Sequence, residues 1–218
     1  MGFFDKIKEP IFLKEDSSAE ALAVMQDNPA ISIRDDCIIL TPDQPSDAAL
    51  IFYPGGKVEY TAYLPILEKI KQNSGIVCIL VKMPFNLAVF DVNAADGIID
   101  QFPEIMNWYI GGHSLGGAMA SSYASKHQSQ IKKLILLGAY LYGEYPQDNT
   151  LTIYGSFNTE VAQKINYDKN VVVIEGGNHA QFGNYGKQAG DPDATISGEE
   201  QQNIAVSAIR DFLATSQD

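Results

Sequence analysis

Asn107-Trp-Tyr-Ile-Gly-Gly-His-Ser-Leu-Gly-Gly-Ala-Met-Ala120 is the stretch from which the rest of the chain is read. An apolar, strand-like run enters Gly112-His113-Ser114-Leu115-Gly116, and small residues suited to a packed helix (Gly117, Ala118, Ala120) follow at once. A serine in so tight a strand-to-helix turn sits in strained backbone, and the residues two before and two after it have no room for side chains. The turn lifts the hydroxyl above the end of a sheet, while amides at the helix N-terminus face developing negative charge. Gly-x-Ser-x-Gly in this setting is the pattern of a nucleophile elbow.

Outward from the elbow, apolar runs alternate with amphipathic stretches. Strand-like runs fall at Ile31–Ile33, Cys37–Leu40, Ala48–Tyr53, Ile76–Lys82, Asn107–Ile110, Lys133–Leu137, Leu151–Tyr154 and Asn170–Ile174. Several are apolar on consecutive residues, as in parallel strands covered on both faces. Between them Thr61–Asn73, Ala94–Phe102, Leu115–His127 and Thr159–Ile165 carry apolar residues three and four apart. Ser197 and Glu200 have capping-box spacing, and Ile204, Ala208 and Phe212 then form a stripe. The expectation is an α/β fold: a mostly parallel central sheet of about seven or eight strands with helices on both faces. Residues 31–218 read as one such domain. Residues 1–30 read as a separate arm, with apolar and basic residues around Pro10, then a short helix over Ser17–Asp27 ended by Asn28-Pro29. The arm is expected to cover a sheet edge or a neighbouring subunit rather than to touch a membrane.

The chain has 218 residues with a formal net charge of −12. That sign repels phosphate backbones and anionic lipid, which argues against nucleic-acid binding and membrane insertion. No apolar stretch approaches the ~20 residues that span a bilayer, and no secretory signal is recognised. A cytoplasmic protein is expected. Cys37 and Cys78 lie in apolar runs and read as small buried hydrophobes, not as a disulfide framework or a metal site.

A serine hydroxyl needs a base, and three histidines compete. His113 lies inside the elbow, badly placed to reach the Ser114 hydroxyl. His127 falls about 20 Å along the following helix at 1.5 Å per residue. His179, after a strand and a Gly-Gly turn, is the expected base. An oxyanion hole needs two convergent amides. Leu115, after the nucleophile, supplies one. The Leu50-Ile-Phe-Tyr-Pro-Gly-Gly-Lys57 loop supplies the other, from Gly56 or alternatively Lys57.

The elbow, the Tyr53-Pro-Gly-Gly-Lys57 loop, Lys82-Met-Pro-Phe-Asn-Leu-Ala88 and Gly176-Gly-Asn-His-Ala-Gln-Phe-Gly183 together resemble the α/β-hydrolase superfamily. More narrowly, they resemble compact, dienelactone-hydrolase-like carboxylesterases. The resemblance runs from about Ile31 to the C-terminus. It implies a Ser–His–acid hydrolase of esters or related acyl compounds, without metal or organic cofactor, with Ser114 as nucleophile, His179 as base and Gly55–Lys57 as oxyanion loop. Such proteins carry Gly-x-x-Asp after the strand corresponding to Leu151–Tyr154. Here the segment is Gly155-Ser-Phe-Asn-Thr-Glu160, with Asn158 at the carboxylate's position. Three groups then compete to orient His179: Glu160 two residues on, Asn158 itself, or a carboxylate such as Glu144 or Asp148.

The segment between Gly138 and Leu151 is too short for a lid domain. Its Tyr140, Tyr142 and Tyr145, with Phe85 and Phe182, are candidates to line a shallow acyl pocket beside Lys57. The sequence supports a small-molecule acyl substrate and leaves room for a homo-oligomer. Asn158 also supports a second reading: a catalytically impaired scaffold that binds a small molecule or a protein partner.

Overall fold

The computed structural model describes residues 16–26 and 28–215, so residues 1–15 of the arm lie outside the described residues. Eight strands form one sheet: β1 (Ile31–Ile33), β2 (Cys37–Leu40), β3 (Ala48–Tyr53), β4 (Val77–Val81), β5 (Asn107–His113), β6 (Ile131–Leu137), β7 (Thr150–Gly155) and β8 (Val171–Ile174). Their order is β1-β2-β4-β3-β5-β6-β7-β8. β2 is antiparallel to both β1 and β4, and every other pairing is parallel.

The helices are α1 (Ala19–Ala23), α2 (Leu64–Ser74), α3 (Ala94–Ile99), α4 (Leu115–Lys126), α5 (Thr159–Ala162) and α6 (Gly198–Ala214). Side chains alternate across the sheet with a period of two. Ala49, Ile51 and Tyr53 of β3 join Val77, Ile79 and Val81 of β4 under α3 and α4. Leu50 and Phe52 join Cys78 and Leu80 under α2 and α6. Each fully buried Leu or Ile contributes about 1.5–3 kcal/mol relative to exposure, which is why near-continuous apolar strands sit at the centre. At the edge, β1 has three residues and is half-exposed.

Several elements are shorter than the sequence suggests. The first helix spans Ala19–Ala23 rather than Ser17–Asp27, because the Ser18 hydroxyl accepts the Ala21 N–H as its N-cap. Asp27 lies outside the described residues. The stretch expected as one helix from Thr61 begins with a 3-10 turn, Tyr60–Tyr63, and becomes α-helical at Leu64-Pro65, where proline is tolerated in the first turn. Helix α3 stops at Ile99 and α5 at Ala162. The last helix is capped at the expected Ser197, whose hydroxyl accepts Glu200 N–H at 3.1 Å. Among the described residues no helix is long and apolar enough to cross a membrane.

Chain order places the site. The chain leaves β3 for β4 on one side and returns to β5 on the other, so strand order reverses between β3 and β5. In open α/β sheets ligand sites gather at such a reversal, beyond the carboxyl ends of the strands.

Candidate active site

Ser114 stands at the carboxyl end of β5 with φ 52° and ψ −121°, a conformation that costs a non-glycine residue of order 1–3 kcal/mol. Its amide donates to Leu137 O at 3.0 Å and its carbonyl accepts from Ala118 N–H at 3.1 Å, so the turn is bonded on both sides. A Cβ on Gly112 would lie 2.5 Å from Tyr53 O, and one on Gly116 would fall on the Tyr53 and Pro54 carbonyl oxygens. The elbow glycines are therefore required by the approach of the β3 loop. Leu115 begins the 12-residue α4, where first-turn amides have no intrahelical acceptor.

The β3 loop meets this helix start directly. A Cβ on Gly56 would lie 2.7 Å from Leu115 Cδ2, which places the Gly56 backbone against the residue after Ser114. The Lys57 amide, the alternative oxyanion donor, is already bonded to Asn86 O at 2.8 Å. That leaves Gly56 as the stronger candidate of the two.

His179 follows β8 and opens a 3-10 turn, Ala180–Phe182. Two residues that sequence reasoning missed hold this loop. Asp191 accepts His179 N–H with Oδ1 at 3.1 Å and Ala180 N–H with Oδ2 at 2.8 Å. Gln201, fully buried on α6, accepts Asn178 N–H at 3.0 Å and donates to Asn178 O at 2.9 Å. Separations of 11, 12 and 23 residues with no periodic relation leave nothing in the sequence to reveal such pairs. Gly138, at φ 53°, is pressed against the ring: a Cβ there would lie 2.9 Å from His179 Nδ1.

Of the three groups weighed for orienting His179, Asn158 has a side-chain contact with the ring. Its Nδ2 lies 2.6 Å from His179 Nδ1. Glu160, the other residue expected on this segment, sits exposed in the first turn of α5, a natural place for an acidic side chain at a helix N-terminus. The expectation for Asp148 is corrected. It precedes β7, at the opposite end of the sheet from Ser114, and pairs with Lys169. Glu144 is exposed, with its backbone carbonyl accepting from Gln128 at 2.9 Å.

Asn158 also N-caps α5, its Oδ1 accepting Val161 N–H at 3.4 Å. With the oxygen engaged there, the amide nitrogen faces the ring and donates to Nδ1. A neutral His179 then carries its proton on Nε2, the nitrogen that would have to accept one from a serine. An amide therefore stands against His179 Nδ1 where a carboxylate was expected.

His113 adjoins His179, with ring centroids 4.5 Å apart, and is 1% exposed. Burial first, and His179 second, hold it well below the usual 6.5. The unfolded chain therefore binds a proton below pH 6.5 that the folded chain refuses. The associated stability is full above pH 6.5 and declines as pH falls below it, by at most about 1.4 kcal/mol per pH unit. Urea unfolding between pH 7 and pH 5 should show a steeper loss for wild type than for His113→Gln. Parallel pH dependences would contradict this assignment.

The residues proposed to line a pocket divide. Phe182 is fully buried behind His113, with centroids 5.8 Å apart, and backs the site rather than facing a ligand. Tyr145 is buried with its hydroxyl on Ile131 O at 2.7 Å, away from the elbow. Tyr140 is half-buried and Tyr142 exposed, on the loop after β6. Phe85 and Phe90 are 78% and 58% exposed and meet edge to face at 5.8 Å. Phe85 and Asn86 both have positive φ, and the Asn86 carbonyl ties them to Lys57 of the β3 loop. Burial raises the Cys37 thiol to about 12 and pushes Cys78 up as well, consistent with inert core cysteines.

A family model described as the alpha/beta hydrolase family matches residues 49–203. No curated protein matches the sequence. Among solved structures, carboxyl esterase 2 from the mycorrhizal fungus Tuber melanosporum superposes with a TM-score of 0.60 at 11% identity, covering 91% of each chain. Est1E from Butyrivibrio proteoclasticus, with ferulic acid bound, gives 0.58 at 13% identity over 83% of this chain and 96% of its own. Dienelactone hydrolase from Anabaena variabilis gives 0.53 at 15% identity over 79% and 89%. At these identities the likeness is one of fold.

Proposed function

Because the chain belongs to the alpha/beta hydrolase family, we propose that it is a serine hydrolase of small carboxylic esters or lactones, slowed by the amide at position 158. The observation that carries this reading is the strained Ser114 at the head of α4, with the Asn158-bonded His179 on the loop after β8. Ser114 Oγ attacks the acyl carbon while its proton passes to His179 Nε2. The Leu115 and Gly56 amides receive the oxyanion. The alcohol leaves with that proton, and water drawn through the same base releases the acid and regenerates Ser114.

For Nε2 to accept, the imidazole proton must sit on Nδ1, and Asn158 must present Oδ1 to it. That requires the amide to turn over and surrender the Val161 cap, which costs about 0.5–2 kcal/mol. In the Ser-His-Asp template, Asp-to-Asn lowers turnover about 10⁴-fold for the same tautomeric reason. The exposed Phe85–Phe90 pair beside the β3 loop suits the apolar half of an ester.

Hydrolysis of p-nitrophenyl acetate, butyrate and octanoate by wild type and Ser114→Ala tests the proposal. Slow turnover that disappears in the variant is expected. The second reading, a scaffold that binds without turnover, is favoured by the Asn158 Nδ2 contact on Nδ1. Turnover equal in wild type and Ser114→Ala would leave that reading standing alone.

A further inference from the structure

His113 takes no part in the proton transfers above, yet its hydrogen positions are fixed by its partners. Nε2 lies 3.0 Å from the backbone oxygen of His179. A carbonyl can only accept, so Nε2 carries the proton. Nδ1 is then bare and accepts from the Tyr63 hydroxyl at 2.8 Å. The Tyr63 oxygen in turn accepts Gly55 N–H at 3.1 Å. One directed chain therefore runs Gly55 N–H, Tyr63 O–H, His113 Nδ1, then His113 Nε2–H to His179 O.

We propose that His113 and Tyr63 are positioning residues that lock the oxyanion loop and the base loop to the strand carrying the nucleophile. The inference rests on the reading of Ser114 as nucleophile and His179 as base. Gly55 immediately precedes the candidate oxyanion donor Gly56, and His113 immediately precedes Ser114. His179 is gripped from both sides, its N–H by Asp191 and its carbonyl by His113. Three loops from β3, β5 and β8 meet in one buried ring that accepts at one nitrogen and donates at the other. An apolar residue fills the volume without either bond, whereas glutamine supplies an acceptor and a donor on one planar group. Geometry of this kind matters because a misplacement of about 1 Å in a reacting constellation costs up to about 10²-fold in rate.

The test compares the rate at which a fluorophosphonate labels Ser114 in wild type, Tyr63→Phe, His113→Leu and His113→Gln, well below each melting temperature. Tyr63→Phe and His113→Leu should label about 10- to 100-fold more slowly, with His113→Gln recovering most of the rate. Folded variants that label at the wild-type rate would reduce the chain to a structural role and overturn the proposal. A second readout needs no variant to fold. The ¹⁵N shifts of wild-type His113 should show a protonated Nε2 and a bare Nδ1, and the opposite tautomer would also overturn it. Absence of wild-type labelling would instead remove the nucleophile reading, and this inference with it.

Discussion

Asn158→Asp is expected to raise the rate of Ser114 acylation by about 10³- to 10⁴-fold, the latter equivalent to roughly 5.5 kcal/mol of barrier. The amide at this position serves two masters. Its oxygen caps Val161 and its nitrogen donates to His179 Nδ1, so neither end accepts the proton that the ring must hold there. A carboxylate has two acceptor oxygens, one for the Val161 amide and one for Nδ1–H. It therefore keeps the helix cap while reversing the imidazole tautomer. Aspartate and asparagine are about equal as N-caps, so thermal stability should change little. Stopped-flow release of p-nitrophenol from p-nitrophenyl acetate reads the acylation step. An unchanged or slower burst in Asn158→Asp would show that Asn158 does not limit the chemistry.

Gly116→Ala is expected to destabilise the protein by about 3 kcal/mol or more and to yield little soluble material. The added Cβ falls on the carbonyl oxygens of Tyr53 and Pro54. Both are backbone atoms of the loop that approaches the elbow, and neither can move as a side-chain end could. Overpacking a close-packed site usually costs about 1–3 kcal/mol, and a backbone collision belongs at or beyond the top of that range. Urea denaturation of any soluble fraction gives the measure. A midpoint matching wild type would mean that the β3 loop is not pressed against α4 as described.

The eight strands were legible because each is a short apolar run with few polar breaks, down to Ile31–Ile33 at the edge. The elbow was legible because its glycines are local: Gly112 and Gly116 flank Ser114 within the same turn. The orienting group was harder to read. Glu160 and Asn158 lie two residues apart, and only the three-dimensional path of the loop after β7 decides which side chain reaches His179. Aromatic residues misled for a related reason. Phe182 follows His179 by three residues and looks like a pocket wall, but the 3-10 turn it closes points it into the core behind His113. Tyr63, Asp191 and Gln201 left no trace at all. Each acts across at least 8 residues of sequence on a backbone atom or a ring nitrogen, and such contacts have no periodic signature.

The proposed hydrolase chemistry stands or falls with Ser114 as the nucleophile. Intact-mass analysis after hours of incubation with a fluorophosphonate, with Ser114→Ala as control, tests it most directly. Wild type is expected to form a single adduct slowly, and Ser114→Ala none. No adduct on wild type, or an adduct that persists in Ser114→Ala, would contradict it.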